Sequence, residues 1–512
     1  MSNLSKTFVA ELYGIDAKLI EVEVDLHVGL HAFNIVGLAD KALSEAKERV
    51  NSSLKNSGLK PPNRENRKIT VNLAPADVKK TGSHYDLAIA VGYMLATKQI
   101  KEFTTKDKIF VGELALDGTL RAINGALSIA LLAKKLGFNF IFLPEENKEE
   151  AGVVSGITVV PLKNLAELID ILEGRQPIPQ YEYKKIKEED NFGVTLSSVK
   201  GQENAKRALI IAASGGHNVL FIGSPGTGKS LLAEAMISIL PDISLEESIE
   251  ITKIWSAAGL SKSGLIHRRP FRSPHHSASA ISIIGGGTNP KPGEISLAHR
   301  GVLFLDELPE FRRDILEALR QPLESGEIHI ARAKNSLVFP SKFTLLAAMN
   351  PCPCGYFGDS EKECRCSANE VFRYQKKISG PLLDRIDIQI TVPRVPLETL
   401  RVKNTESVAG KDLLIREQIR QARHIQAKRF QKEGLSIRSN SEMSSDLCDK
   451  LIHLNTPAEE FLKSAIENTF LSARSYYRIL KTAQTIADLE TIEEVGKNHL
   501  SEAFGYRMRQ KE

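Results

Sequence analysis

The sequence predicts a multidomain α/β protein that ends in a helical region, and three observations carry that prediction. The chain is 512 residues long, too long for one hydrophobic core and suited to about three domains. Hydrophobic residues make up 42% and charged residues 26%, an ordinary soluble globular composition. Strand-like apolar runs alternate with helical stretches up to about residue 395, after which the pattern is mainly helical.

The first part, residues 1–175, reads as α/β. Lys68-Ile-Thr-Val-Asn-Leu73 and Lys108-Ile-Phe-Val-Gly112 are strand-like, and Asp86-Leu-Ala-Ile-Ala-Val-Gly-Tyr-Met-Leu-Ala96 between them reads as a buried helix. Residues 176–194 bear prolines, then charge, without a sustained apolar period, which is a linker signature. The central part, 195–395, holds the strongest motifs. Pro393 and Pro396 close it, and 396–512 reads as helical, with clear stretches at 413–432 and 458–468.

No run approaches the ~18 apolar residues of a membrane helix. The first ten residues lack the apolar core of a secretory signal. The expectation is a cytoplasmic protein without a membrane partner. The net charge of +5 is modest. Between Arg401 and Asn440, however, ten Lys or Arg stand against four Asp or Glu, either a solvated helical face or a surface for an anionic partner.

Gly223-Ser224-Pro225-Gly226-Thr227-Gly228-Lys229-Ser230 fits the phosphate-loop pattern G-x-x-x-x-G-K-S. Its glycines let backbone N–H groups turn toward phosphate oxygens without Cβ clashes, and the helix that follows favours the anion. Lys229 can neutralise the β and γ phosphates of ATP, and Ser230 can hold Mg²⁺. Asn218-Val-Leu-Phe-Ile222 is the strand leading in, and Leu231 to Leu240 the apolar helix leading out.

Gly301-Val-Leu-Phe-Leu-Asp306-Glu307 is an apolar strand ending in two acids. Asp306 can accept the Mg²⁺ hydration shell, and Glu307 can polarise the attacking water. Phe343 to Asn350 is another apolar strand ending in an amide. Asn350 can orient the lytic water, the plain alternative being a turn residue.

Four of the five cysteines fall within fifteen residues: Cys352, Cys354, Cys364 and Cys366. That is no secreted disulfide framework. Four thiolates can close a tetrahedral Zn²⁺ site, although C-x-C is tighter than the usual ligand spacing, and reduced metal-free thiols are the alternative. Cys448, alone in a helical segment, is expected in a core.

These motifs together resemble an AAA+ ATPase of the magnesium-chelatase type, nearest the ComM/YifB subfamily. The resemblance covers essentially the whole chain. It is carried by Arg272-Ser-Pro-His-His276, Ile284-Gly-Gly-Gly287, residues 292–301, Leu305-Asp-Glu-Leu-Pro-Glu-Phe311, Asn350-Pro-Cys-Pro-Cys-Gly355 and Leu382-Leu-Asp-Arg-Ile-Asp387. It implies a P-loop core with a parallel sheet and a helical C-terminal lid. Arg385 would be the arginine finger that reaches a neighbouring subunit's γ phosphate, the alternative being a surface Arg paired with Asp384 or Asp387. Arg474 would be the second sensor arginine, and Arg478, one helical turn on, could serve instead. Sites completed between subunits imply a ring, expected as a homo-hexamer.

Two insertions bear on the partner. One, residues 259–292, carries Arg268, Arg269, Arg272, His275 and His276. The other, residues 327–339, reads as a hairpin with Arg332 and Lys334 near its tip. The resemblance implies that such hairpins line a pore and grip DNA through its phosphates, and the alternative is a solvated basic hairpin.

Through Asp77-Val-Lys-Lys-Thr-Gly-Ser-His-Tyr-Asp86 and Val111-Gly-Glu-Leu-Ala-Leu-Asp-Gly-Thr-Leu-Arg-Ala-Ile-Asn-Gly125, the first 170 or so residues resemble the Lon-type protease domain, an α/β fold of the ribosomal S5 domain 2-like kind. The nucleophilic serine of that family would fall on His84, with Ser83 displaced by one, and its lysine near Leu127. A serine without its lysine base is only a polar loop residue, so the domain is expected to be non-proteolytic. Lys41, Lys47, Arg49, Lys79 and Lys80 are its candidate phosphate contacts. The resemblance implies a DNA-dependent ATPase that drives branch migration of single-stranded or branched recombination intermediates, in relatives during natural transformation. A chelatase-like ATPase remodelling a protein partner is the alternative, with an ATP-dependent protease behind it.

Overall fold

Strict alternation builds the first sheet. In Asp16–Val28 every second side chain from Ile20 to Leu26 is buried, the mark of a strand with one face on a core. A computed structural model describes residues 4–507 apart from 39, 65, 180, 182, 184–192, 262–263, 288–289, 332–335, 402–407 and 468–470. At Lys41, Ala42, Ala331, Leu397, Leu400, Val408 and Ala409 the description is of backbone alone. Most of the expected linker, 176–194, lies outside the described residues.

The chain forms two compact units: residues 1–188 with 245–267, and residues 189–244 with 268–512. In the first, Leu4–Tyr13, Asp16–Val28, Arg67–Ala74 and Ala32–Val36 lie side by side in that order, and only the last pair runs parallel. Helix Asp86–Ala96 covers this sheet and is buried at nearly every position. A second, parallel sheet joins Lys108–Phe110, Phe140–Pro144 and Thr158–Leu162.

Residues 245–267, which the sequence reading keeps in the central region, fold with this first unit. Helix Leu245–Ala258 packs on helix Ala126–Lys135. The Ser256 hydroxyl accepts from the Gly125 N–H at 2.7 Å and bonds Glu150 at 2.5 Å, while Lys253 pairs with Asp16 at 2.6 Å. An amphipathic helix follows whichever core accepts its apolar stripe, not its neighbours in sequence.

The second unit is built on a five-stranded sheet ordered Phe271–Arg272, Val302–Leu305, Thr344–Met349, Val219–Ile222, Ile388–Thr391, every pair parallel. A parallel sheet is covered on both faces, so its strands are continuous apolar runs. Here Val219, Phe221, Val302, Phe304, Leu346 and Ala348 point into one core, and Leu220, Leu303, Leu305, Leu345, Ala347 and Met349 into the other. The first of these cores also holds the C-terminal helices Val408–Lys432, Ala473–Leu489 and Lys497–Gly505, packed around Glu203–Gly215. Cys448 is buried there.

The basic run at 401–440 is divided: Arg416, Arg423, Arg429 and Arg438 are half-buried, while Arg401, Lys411, Arg420, Lys428 and Lys432 are exposed. Arg416 donates to the Ser238 carbonyl, Arg423 to Ala213, and Arg429 pairs with buried Asp488. Charge type alone did not report burial.

Candidate functional site

In open parallel sheets ligands bind beyond the carboxyl ends of the strands, and the phosphate loop, Asp306, Glu307 and Asn350 stand there. The phosphate loop follows Val219–Ile222, Asp306 and Glu307 follow Val302–Leu305, and Asn350 follows Thr344–Met349. His275 and His276 come shortly after Phe271–Arg272, and residues 392–396 after Ile388–Thr391.

Lys229 is buried, with its Nζ 2.7 Å from the Gly223 carbonyl, 3.0 Å from that of Ser224 and 3.2 Å from the Asn350 Oδ1. Burial pushes its pKa down, opposed by Asp306 and Glu307. The amide of Asn350 therefore stands beside the cation that would meet the terminal phosphates. The Ser230 hydroxyl donates to Asp306 at 2.8 Å, so the hydroxyl and carboxylate suited to Mg²⁺ are already together. Thr227 braces the turn through the Ser224 carbonyl at 3.0 Å. A Cβ on Gly223 would lie 2.4 Å from the Val392 carbonyl oxygen, which is why only glycine fits at the first loop position.

Glu307 has φ of 52°, in the left-handed region, and its half-exposed carboxylate is 3.2 Å from the Nδ1 of His276. His276 stacks on His275 with ring centroids 4.1 Å apart. The acid that can polarise water is thus held by a ring from the neighbouring strand's loop.

Sequence reasoning missed a pocket of about 250 Å³ lined by Gly201, Gln202, Pro393, Arg394, Val395 and Thr399 among others. The Gln202 amide reaches the Thr227 carbonyl of the phosphate loop at 3.3 Å and that of Pro393 at 2.5 Å. A partly apolar pocket beside the phosphate loop suits the base of a nucleotide. Its walls are almost 200 residues apart, so no local pattern announces it.

Arg385 and Arg474 converge on one carboxylate, Glu324. Arg385 is nearly buried, donates to Glu324 and to the Pro381 carbonyl, and leaves its Nε without a partner. Arg474 lies 3.4 Å from the same Glu324 oxygen. Neither arginine bonds residues 223–230, and Arg385 pairs with neither Asp384 nor Asp387. Arg478 is committed to Asp387 at 2.5 Å, so it is an internal tie. Burial alone would raise the Asp387 carboxyl, but the Arg478 charge and bonds from His217 and Asn218 hold it well below the usual carboxylate range.

The four cysteines of the 352–366 loop bring their sulfurs within 4.8 Å of one another. Cys352 Sγ is 3.4 Å from that of Cys354 and 3.7 Å from that of Cys364, and Cys354 to Cys364 measures 3.6 Å. These spacings are far too long for disulfides, and they approach the edge of about 3.8 Å that tetrahedral Zn–S bonds of ~2.3 Å require. Backbone N–H groups of Arg365 and Tyr356 bring the Cys354 thiol down to about 6. The donor set fits zinc.

The expected hairpin forms from Glu327–Ala331 and Ser336–Pro340, but Arg332 and Lys334 lie outside the described residues. In the other insertion, Arg269 donates to the carbonyls of Pro241, Asp242 and Arg300, and Arg272 pairs with Glu294 at 2.5 Å. These two arginines hold the fold instead of facing a partner.

In the first unit Ser83 bonds Glu113, and Leu127 is buried where a catalytic lysine would stand. Burial pushes the His84 imidazole down to about 4. Of the candidate phosphate contacts, Lys80 is buried with its Nζ on the Pro75 carbonyl and Arg49 pairs with buried Asp86 at 2.6 Å. Lys79 is exposed and Lys47 half-buried, and the Lys41 side chain lies outside the described residues.

Family profiles tile the chain. "Magnesium chelatase, subunit ChlI" matches residues 195–400, "Subunit ChlI of Mg-chelatase" residues 22–147, and "Magnesium chelatase, subunit ChlI C-terminal" residues 413–507. With the parallel sheet and its phosphate loop, they define a magnesium-chelatase-type AAA+ ATPase. Competence protein ComM of Haemophilus influenzae is 42% identical over 96% of this chain and 95% of its own. YifB of Escherichia coli K12 is 39% identical over 99% and 97%. The magnesium-chelatase 38 kDa subunit of Rhodobacter capsulatus is 24% identical over 61% and 87%. The chain belongs to the ComM/YifB family of magnesium-chelatase-like AAA+ ATPases.

Proposed function

We propose that this protein is an ATP-driven ring motor acting on DNA, a homo-hexameric helicase that promotes branch migration in recombination. The observation that carries the reading is the division of the catalytic groups. Lys229, Ser230, Asp306, Glu307 and Asn350 gather at the phosphate loop, whereas Arg385 and Arg474 gather on Glu324 with no bond to that loop. Two cations with no bond to their own chain's phosphate loop fit a site that a second copy completes.

In this reading Ser230 and Asp306 hold Mg²⁺, Lys229 meets the β and γ phosphates, Glu307 polarises water that Asn350 orients, and Arg385 and Arg474 stabilise charge on the neighbour's phosphate. Likeness to a competence protein supports DNA as the cargo. So do the two insertions, which lie together: a Cβ on Gly285 would meet Ile330 at 3.3 Å. Arg332 and Lys334 would grip backbone phosphates without reading sequence. The domains divide as a non-proteolytic first region, a P-loop core and a helical lid, and zinc ties the cysteine loop. The site of action in this reading is the cytoplasm; no described helix is long and apolar enough to cross a membrane.

The test measures ATPase rate with and without single-stranded DNA, and displacement of a labelled strand from a branched substrate. DNA should stimulate hydrolysis, and Lys229→Ala should abolish both activities. Neither stimulation nor displacement in the wild type would sink the motor reading.

A further inference from the structure

Residues 351–366 contain no helix or strand. A stretch of that length with no ladder of its own needs another source of order, and the sulfur cluster supplies one at its two ends. The ordered loop then touches the nucleotide site at three places. Gly355, at φ of 86°, sits so close to the phosphate loop that a Cβ there would lie 2.7 Å from Pro225 Cδ. The Ser224 side chain, with the N–H groups of Glu361 and Lys362 that donate at 2.9 and 3.0 Å, holds the Asp359 carboxyl well below the usual carboxylate range. The same carboxylate pairs with Arg394 at 3.0 Å, and Arg394 lines the pocket suited to the base. Asn350, which leads into the loop, bonds Lys229.

We infer that the cysteine loop, closed by one zinc ion on Cys352, Cys354, Cys364 and Cys366, is a strap whose Asp359 positions the phosphate loop, so that nucleotide affinity depends on the metal. Asp359 is a positioning residue, since it acts through Ser224 and Arg394. The inference rests on the zinc reading of the loop and on ATP as ligand; it is independent of DNA as cargo. Because coupling between two ligands is reciprocal, ATP must in turn raise the affinity for zinc.

The test uses the full chain and needs no DNA, so failure of the motor reading leaves its outcome unaffected. Zinc content is measured by atomic emission, and equilibrium affinity with a fluorescent ATP analogue. The purified protein should carry one zinc per chain, lost in the Cys364→Ser, Cys366→Ser variant. Extraction of zinc from the wild type should weaken ATP binding about tenfold, within the usual range of coupling between sites. Asp359→Ala should keep its zinc and show the same loss, Asp359→Asn should recover part of it, and extraction from Asp359→Ala should add nothing, as two changes on one route do. With wild type alone, saturating ATP should raise the equilibrium affinity for zinc, read by competition with a chelating dye, by a similar factor. Absence of zinc, equal ATP affinity with and without the metal, or zinc affinity indifferent to ATP would each overturn the inference.

Discussion

Replacing Arg385 by alanine removes a guanidinium that is almost buried, bonded to Glu324 and lacking a partner at its Nε. If this cation acts on the neighbouring subunit's phosphate, its loss should slow hydrolysis by about 10³–10⁵, about 4–7 kcal/mol of transition-state stabilisation, while leaving ATP affinity nearly intact. Slowing alone does not locate the arginine, and mixing does. Lys229→Ala subunits bind no phosphate productively but still carry Arg385; Arg385→Ala subunits have the reverse defect. In a random equimolar ring, a site works only when an Arg385→Ala subunit receives its cation from a Lys229→Ala neighbour. Half of the sites have the right owner and half of those the right donor, so activity should recover to roughly a quarter of wild type in a closed cyclic assembly. The assay is steady-state phosphate release from the two inactive variants, mixed before ring assembly. A mixture as inactive as its components would refute the intersubunit assignment and return Arg385 to a structural tie with Glu324.

Two further outcomes follow from buried charge. Arg478→Met would leave Asp387 buried beside His217 without its cation; breaking such a pair costs about 3–5 kcal/mol, read as a fall in the urea midpoint of the second unit, and Asp387→Asn in the same chain should restore much of it. His84 is depressed to about 4 by burial, from 6.5 when unfolded, so between those values the unfolded chain binds more protons and stability is lost as pH falls. Between pH 7 and pH 5 that amounts to about 2 kcal/mol, an upper figure because 18% of the side chain remains exposed; chemical denaturation at the two pH values should give the difference, and His84→Gln should flatten it.

The phosphate loop was legible because its turn, its glycines and its cation lie within eight consecutive residues. Asp306, Glu307 and Asn350 were legible as polar residues ending apolar runs, and the parallel sheet makes the ends of such runs neighbours. Glu324 was not legible: a lone acid in a short helix has no pattern until the fold brings residues 385 and 474 to it. Gly201, Gln202 and the 393–396 segment form a pocket only through long-range closure. Lys80 and Arg49 read as surface cations because such side chains are mostly exposed, and only their partners Pro75 and Asp86 reveal that these two are not.

The helix Leu245–Ala258 makes the first unit discontinuous. A fragment ending near residue 175 would lose the partner of Gly125 and Glu150, and one starting near 195 would carry a helix stripped of the surface it was shaped for. Neither half is thus a natural module for expression, fusion or exchange between relatives. A gene rearrangement at the proline-bearing linker would yield two damaged products, and a stable first unit on its own needs residues 245–267 grafted back, by circular permutation or a designed connection.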